Sequence, residues 1–252
     1  GVTRNFSRAA GLCTGNYIAF SDQDDIWLPD KLEACYQIMK KAEQEYGTNI
    51  PLLVHGDLCL IDTENRIITP SCMKVRRYGH VVVDPLKTIL VRNFVSGCST
   101  LCNRVLINQS LPFPDVITNH DGWVALVATS RGKLLFLPEP KVLYRQHGSN
   151  VTGRAAPLFD ATKVIKTVIR AIKRRRINRD WGPSVLIPLY RQAEALKERL
   201  LELKGEVPES LRAFLETLQR GGVLNTINLM FIIKVRQPGI IANILYFYVI
   251  SK

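Results

Sequence analysis

The sequence lacks three features that would place the protein in a specialised class. Its longest uncharged apolar run, Gln237 to Ser251, is shorter than the ~20 residues that a transmembrane helix needs. The six cysteines show neither a CxxC pair nor metal-ligand spacing, which argues against a zinc site or a disulfide framework and favours a reducing, cytoplasmic compartment. The chain begins with Gly1 rather than Met, and Arg4 to Leu12 is typical of a helix with no strand before it. We therefore expect an N-terminally truncated domain.

Apolar residues and positive charge are abundant. Hydrophobic residues make up 46% of the 252 residues, enough for a large buried core, and the formal net charge is +12. The segment Lys163 to Arg179 contains eight Lys or Arg residues and no acid. Such a block favours an anionic surface, either the inner leaflet of a membrane or nucleic acid. A solvated helix face is an equally good interpretation.

Strand and helix patterns alternate through the first part of the chain. Gly15 to Ser21 is typical of a short buried strand, and Pro29 to Ala42 has the apolar spacing of a helix that ends at Gly47. Further alternation continues to Gly153, with a helix expected from Asn119 to Gly132. Such alternation predicts an α/β fold, Rossmann-like, with a mainly parallel sheet flanked by helices.

The composition changes after Gly153. Residues 154–252 combine the basic block with two helical patterns and an apolar tail, Val223 to Lys252, which charges and a proline interrupt. We expect a catalytic or binding domain over residues 1–153 and a helical C-terminal extension over residues 154–252. The tail fits an interfacial or core-packed hairpin better than a membrane span.

Three acids follow the first predicted strand in "YIAFSDQDDIWLPDKLE", at Asp22, Asp24 and Asp25. A calcium loop of the EF-hand type is excluded because Trp27 occupies the position that needs glycine. Helix capping accounts for Asp25 or Asp30 but not for three acids that precede an aromatic residue. A divalent cation, Mg²⁺ or Mn²⁺, completed by substrate phosphates, is the third interpretation.

Four motifs in order carry a family resemblance. They are "GNYIAFSDQDDIWLPDKLE", "NFVSGCST" (Asn93 to Thr100), "NHDGW" (Asn119 to Trp123) and "YRQHGSN" (Tyr144 to Asn150). Together they resemble bacterial family 2 glycosyltransferases of the GT-A fold, particularly the rhamnosyltransferase-like branch. The resemblance covers Gly1 to Gly153, although the family's first strand and base-binding loop have no counterpart here. It implies transfer of a sugar from a nucleotide-sugar donor to an acceptor.

The resemblance also implies roles for the acidic cluster. Asp22 would contact the nucleotide ribose, Asp24 would bind the metal, and Asp25 would support both. His147 would close the metal site from the C-terminal side. Arg145 would reach the donor diphosphate or the acceptor, or would form only a surface ion pair. A divalent cation, Mn²⁺ or Mg²⁺, would then stabilise the departing nucleoside diphosphate.

The remaining site assignments lie on the acceptor side. Asp121 matches the family's catalytic base, although a plain helix N-cap is the alternative for this residue. Ser96 and Gly97 belong to the loop that would approach the acceptor, and His120 and Trp123 flank the base. Trp123 would offer a ring for sugar stacking, whereas we expect Trp27, from the acidic loop, to be a core residue.

The resemblance implies an inverting, metal-dependent glycosyltransferase that moves a sugar, for instance L-rhamnose from dTDP-rhamnose or a sugar from a UDP donor, onto a glycan or lipid-linked saccharide of the bacterial surface. The basic block and apolar tail would dock it on the inner face of the plasma membrane. A nucleic-acid-binding protein is the rival from another class, but the basic segment has no interleaved aromatics and leaves the acids unexplained. A metal-dependent nucleotide-sugar hydrolase would use the same aspartates.

Overall fold

The computed structural model describes residues 1–76, 78–147 and 181–220. The chain divides into two compact units, one of Gly1–Pro85 with Arg92–Ala156 and the other of Leu86–Val91 with Pro157–Lys252. The boundary predicted at Gly153 lies outside the described residues and stays a prediction.

The chain begins as the sequence pattern predicts. Helix α1 spans Val2–Leu12, strand β1 spans Tyr17–Ile18, and helix α2 spans Lys31–Tyr46 and ends at Gly47, whose φ of 90° suits a residue without a side chain. The predicted helix ending at Gly47 is thereby confirmed. A strand that the sequence did not predict, β2 at Ile26–Trp27, lies between the acidic cluster and α2.

The other elements of the first unit follow in chain order. The apolar pattern from Leu52 to Leu60 is typical of one strand but forms two, β3 and β4, and the pattern expected from Asn119 to Gly132 is helix α6. The bounds are β3 Leu52–Gly56, β4 Cys59–Ile61, β5 Ile67–Thr69, α3 Cys72–Arg76, a 3₁₀ turn Gly97–Ser99, β6 Leu101–Asn103, α5 Arg104–Ser110, α6 His120–Arg131, β7 Lys133–Leu137 and β8 Val142–Arg145. Helix α4, Pro85–Ile89, falls almost wholly in the second unit.

The strands form two four-stranded sheets, ordered β1-β6-β3-β7 and β2-β8-β4-β5. In each sheet the described pairs include a single parallel one, β3 with β7 and β4 with β8, and the other pairs are antiparallel. The expected mainly parallel sheet is therefore wrong, and the sheets are mixed.

The physical reason lies in strand β6. Strands β1 and β3 both run antiparallel to β6 and so run parallel to each other, as a β1-α2-β3 connection requires, but β6 separates them. Residues 57–100, which include strands β4 and β5 of the second sheet, connect β3 to β6, and this length frees β6 to enter in the opposite direction. Alternation of helix and strand does not encode such an insertion.

Each sheet has its own apolar core. Residues Cys35, Met39 and Ala42 of α2 pack on Leu52 and Val54 of the first sheet. The second sheet packs around a separate cluster of buried residues, Leu58, Leu60, Cys72, Cys98 and Val142, with Trp27 and Tyr144 against it. Trp27 is therefore a core-packing residue, as expected. Because Cys98 lies in this second core, the loop from Asn93 to Ser99 is anchored beside the acidic cluster.

The second unit contains helices α7, Trp181–Glu202, and α8, Glu209–Arg220, which correspond to the two helical patterns of the extension. Helix α7 begins before Tyr190, where the helical pattern of the sequence starts, and it includes Pro188, a residue type that disfavours helix interiors. Among the described residues, no helix combines the length and apolarity that membrane crossing requires. The basic block and the apolar tail lie outside the described residues.

Candidate functional site

The acidic loop between β1 and β2 is tied to the end of β8. His147 Nε2 lies 2.6 Å from Asp24 Oδ2, and both side chains are about one quarter exposed, at 28% and 25%. The two residues are 123 positions apart in the sequence, yet the structure brings together the pair that the family resemblance assigned to the metal. Since both atoms are metal-ligand types and remain accessible, a cation could replace the hydrogen bond between them.

Arg145 holds this loop from the neighbouring strand end. Its backbone N–H donates to Asp25 Oδ1 at 3.1 Å, and its Nε donates to the carbonyl oxygen of Asp24 at 3.0 Å. Its Nη1 donates to Asn65 Oδ1 at 2.7 Å in the turn after β4. The guanidinium is thus engaged in shaping the acidic loop, so contact with a diphosphate stays a prediction that these contacts do not support.

A second group of potential metal-ligand atoms lies where the acidic loop meets Cys98. Asp22, Asp25 and Cys98 each place one ligand atom within 4.8 Å of the others. Burial and then the charge of Asp24 raise the pKa of Asp22, and burial raises the pKa of Asp25 to about 6. Among the described residues, Asp25 Oδ2 is buried without a hydrogen-bond partner. An orphaned carboxylate oxygen among crowded acids fits a bound divalent cation.

Asp121 lies in the first turn of α6, and Asn119 is the N-cap of that helix, so the plain N-cap interpretation does not apply. Its carboxylate accepts three hydrogen bonds: from Asn93 Nδ2 at 3.1 Å and the Gly122 N–H at 2.6 Å on Oδ1, and from the Gly97 N–H at 3.1 Å on Oδ2. Burial raises the pKa of Asp121 to about 6, and the charge of Asp22 adds to the shift. A carboxylate with this pKa is ionised at neutral pH and basic enough to accept a proton.

His120 packs beneath the first helix. Its ring stacks on Phe6 of α1 with centroids 3.8 Å apart and meets Phe20 edge-on at 5.0 Å. Burial lowers the pKa of His120 to about 4, so the imidazole is neutral. A Cβ on Gly97 would lie 2.6 Å from His120 Nε2. Glycine at position 97 therefore makes room for the protein's own His120, and an acceptor contact by either residue stays a prediction.

The two other acceptor-side residues differ in their surroundings. Trp123 is 0% exposed, and its Nε1 donates to the Ser110 carbonyl at 2.9 Å, so its ring has no face for a sugar. The expected stacking role of Trp123 is corrected to a core role, because its position on α6 turns it away from Asp121 into the interior. Ser96 is partly exposed, and its carbonyl accepts from the Ser99 N–H at 3.0 Å.

Lys31, the first residue of α2, is buried beside the acidic loop. It is 1% exposed, and its Nζ lies 3.3 Å from the centroid of the Trp27 ring. Within the part of the chain that the structure describes, this ammonium has no hydrogen-bond partner. Burial lowers the pKa of Lys31 to about 8. A buried cation without an anionic partner destabilises the fold.

Replacing Lys31 with Met should therefore stabilise the protein. Because the folded pKa is below that of the unfolded chain, the ammonium costs about 3 kcal/mol below pH 8, and the contact with Trp27 offsets about 1 kcal/mol. We expect Lys31→Met to raise the free energy of unfolding by about 2 kcal/mol at pH 7, measured by urea denaturation. This gain should shrink between pH 8 and 10.5, where the folded protein already holds a neutral amine.

The matched control is Lys41→Met, on the exposed side of the same helix, which should change the free energy of unfolding by less than about 0.5 kcal/mol. A loss of stability in Lys31→Met would show that the ammonium is favourably paired.

Sequence reasoning did not single out three residues of this region: Lys31, Asn93 and Cys98. All three lie inside motifs that the sequence analysis quoted, "DKLE" and "NFVSGCST". Their position inside these motifs was the signal that the sequence offered. A lysine, an asparagine or a cysteine at such a position does not by itself indicate a role in a site. Only their contacts with Trp27, Asp121 and Asp25 identify them.

Comparison with known proteins bears on the acidic loop. Residues 1–50 match the family model described as glycosyl transferase family 2. The matched segment includes Asp22, Asp24 and Asp25 and ends before Asp121 and His147. This match supports a family 2 glycosyltransferase, and the mixed α/β architecture is compatible with a GT-A fold. No curated protein matches the chain.

Proposed function

We propose that the protein is an inverting glycosyltransferase that uses a nucleotide-sugar donor. The observation that carries this proposal is the position of an ionisable, hydrogen-bonded carboxylate, Asp121, near the acidic loop, whose residue Asp22 contributes to its pKa shift. The family match over residues 1–50 covers that loop and supports the same activity.

The proposed reaction is a single displacement. Asp121 accepts the proton of the acceptor hydroxyl while the oxygen forms a bond to the anomeric carbon of the donor sugar. The bond between that carbon and the diphosphate breaks at the same time, and the nucleoside diphosphate leaves with the electron pair. Attack from the face opposite the leaving group inverts the anomeric centre.

Family 2 enzymes often depend on a divalent cation, and this chain offers residues that fit one. Asp24 and His147 would hold Mn²⁺ or Mg²⁺, whereas Asp22 and Asp25 group their ligand atoms with Cys98. Bound there, the cation would neutralise the charge of the diphosphate leaving group. Without it, two or three carboxylates would repel the donor.

Calorimetric titration of Mn²⁺ and then of dTDP-rhamnose or UDP-glucose tests the proposal. We expect donor binding to require Mn²⁺. Asp24→Ala should weaken donor binding by on the order of 100-fold, because it removes one of the two proposed metal ligands, which lie at hydrogen-bond distance from each other. The donor that binds identifies the nucleotide and sugar.

The matched control is Asp30→Ala, which removes an exposed acid near the same loop that pairs with Lys141 at 2.6 Å. It should leave donor binding unchanged. Equal binding by wild type and Asp24→Ala would refute the metal assignment. Release of free sugar without an acceptor would identify a nucleotide-sugar hydrolase instead.

Three finer assignments belong to the proposal as well: L-rhamnose as the sugar, a bacterial surface glycan or lipid-linked saccharide as the acceptor, and docking on an anionic membrane through Lys163 to Arg179. The charge of that block, eight basic residues without an acid, supports the docking. Sedimentation with vesicles that is independent of anionic lipid would rule it out.

A further inference from the structure

The side chain of Asn93 joins the loop before β6 to the N-terminus of α6. Its Nδ2 donates to Asp121 Oδ1 at 3.1 Å and to the carbonyl of Val95 at 2.9 Å, and its Oδ1 accepts from the Val95 N–H at 2.9 Å. Rotating the amide by 180° would place its oxygen against a carbonyl and a carboxylate. The contacts therefore determine the orientation of the amide, and the NH₂ group faces Asp121.

The three donors to Asp121 are unevenly divided between its oxygens. Oδ1 accepts from Asn93 and from the N–H of Gly122, whereas Oδ2 accepts from the N–H of Gly97. A carboxylate oxygen has two lone pairs, so the two donors on Oδ1 satisfy that oxygen, whereas Oδ2 accepts one of these three hydrogen bonds. The main-chain N–H of Asp121 itself also favours the ionised carboxyl. Oδ2 therefore keeps more capacity to accept a hydrogen bond from a substrate group than Oδ1 does.

We propose that Asn93 is a positioning residue that fixes the rotation of the Asp121 carboxylate and so presents Oδ2 to the acceptor. This inference rests on the proposed function, because it assigns the proton to a particular oxygen of the proposed base. Of the three described donors, Asn93 is the side-chain one and the others are main-chain N–H groups. The rotation of Asp121 therefore depends on position 93 in a way that substitution can test.

Two other titratable groups face Asp121. Asp22 approaches from the loop after β1 and disfavours the ionised carboxylate, and the neutral ring of His120 precedes it on α6. Neither donates a hydrogen bond to the carboxylate among the described contacts. A hydrogen bond from Asn93 stabilises the ionised form against the repulsion of Asp22.

The test compares Asn93→Ala and Asn93→Asp with wild type. For Asn93→Ala we expect kcat to fall about tenfold with the donor KM unchanged, and the acid limb of kcat/KM to move up by about one pH unit, because a donor to the ionised carboxylate is lost. Asn93→Asp keeps the shape of the side chain but replaces the donor with a second carboxylate. We therefore expect the acid limb of kcat/KM to move to higher pH in this variant than in Asn93→Ala. Asn108→Ala, an exposed asparagine on α5, is the control and should match wild type.

A direct titration of the Asp121 carboxyl carbon by NMR in wild type, Asn93→Ala and Asn93→Asp provides a readout besides activity. We expect the same upward shifts, with Asp121→Asn used to assign the resonance. A folded variant with an unmoved Asp121 titration and unchanged kcat overturns the positioning role. If Asn93→Ala does not fold, the titration of Asp121 in Asn93→Asp is the deciding measurement: an upward shift supports the positioning role, and an unmoved titration overturns it.

Failure of this inference is distinguishable from failure of the proposed function. If wild type transfers no sugar to any acceptor but the NMR titration still moves in the Asn93 variants, the proposed function fails and the contact stands. If transfer requires Asp121 but neither Asn93 variant changes the pH profile, the positioning role is rejected alone.

Discussion

Replacing Asp121 with Asn is expected to lower kcat for glycosyl transfer by on the order of 10³-fold, with donor affinity close to wild type. The amide has nearly the same shape as the carboxylate but cannot accept the acceptor proton. Asp121 lies on α6, outside the loop that would hold the donor, so donor binding should survive. Release of nucleoside diphosphate in the presence of acceptor measures the rate, and calorimetry measures the affinity.

The wild-type rate should also report the protonation of Asp121. Its pKa is raised to about 6 by burial, and the base works only when ionised. Below pH 6 we therefore expect kcat/KM to fall about tenfold per pH unit, and above it to level off. Asp115→Asn is the matched control, since Asp115 is an exposed acid that pairs with Arg4 at 2.8 Å. Retention of more than about a tenth of the rate in Asp121→Asn would place the base elsewhere.

Replacing Gly132 with Ala is expected to destabilise the protein by more than about 4 kcal/mol, enough to abolish cooperative folding under ordinary conditions. A Cβ at this position would lie 1.8 Å from the carbonyl oxygen of Pro51 and 2.7 Å from its carbonyl carbon. These are backbone atoms, and the same carbonyl accepts a hydrogen bond from the Lys133 N–H at 3.0 Å. Neither side of the contact can move without breaking the start of the β3/β7 pair.

This effect reaches the candidate site through α6. Gly132 follows the C-terminal end of that helix, and Asp121 lies in its first turn. Chemical denaturation measures the loss, with Gly79→Ala as the control, because a Cβ there meets no atom within 4 Å. A Gly132→Ala variant that unfolds within about 1 kcal/mol of wild type would show that the Pro51 and Gly132 segments can separate.

The helices were predictable because their signals are local. The apolar spacing after Pro29 and the glycine at 47 specify α2, and the pattern from Asn119 to Gly132 specifies α6. Strand β1 was predicted from the apolar run of Gly15 to Ser21, although it is shorter than that run, whereas β2 was not predicted because a two-residue strand has too little alternation. Their pairing with β6 and β8 creates them.

The candidate site likewise contains residues that could be recognised from the sequence and residues that could not. Asp22, Asp24 and Asp25 were recognisable because three acids in four residues at a strand end need a positive partner. The roles of Asn93 and Lys31 were not recognisable, because the role of an asparagine or a lysine depends on the groups that surround it in the folded protein. Trp123 was misjudged for that reason, since an aromatic next to a candidate base suits stacking and core packing equally well in sequence.

The sequence alone determined the α/β class, helices α2 and α6, the acidic loop after β1 and the order of the motifs. The tertiary structure decided that β6 separates β1 from β3, that Asn93 meets Asp121 across 28 positions, and that His147 meets Asp24 across 123. Local periodicity reports which face of an element is buried, since each side chain's polarity is written in the sequence. It does not report the partner, because pairing between distant segments depends on the packing and loop closure of the whole unit.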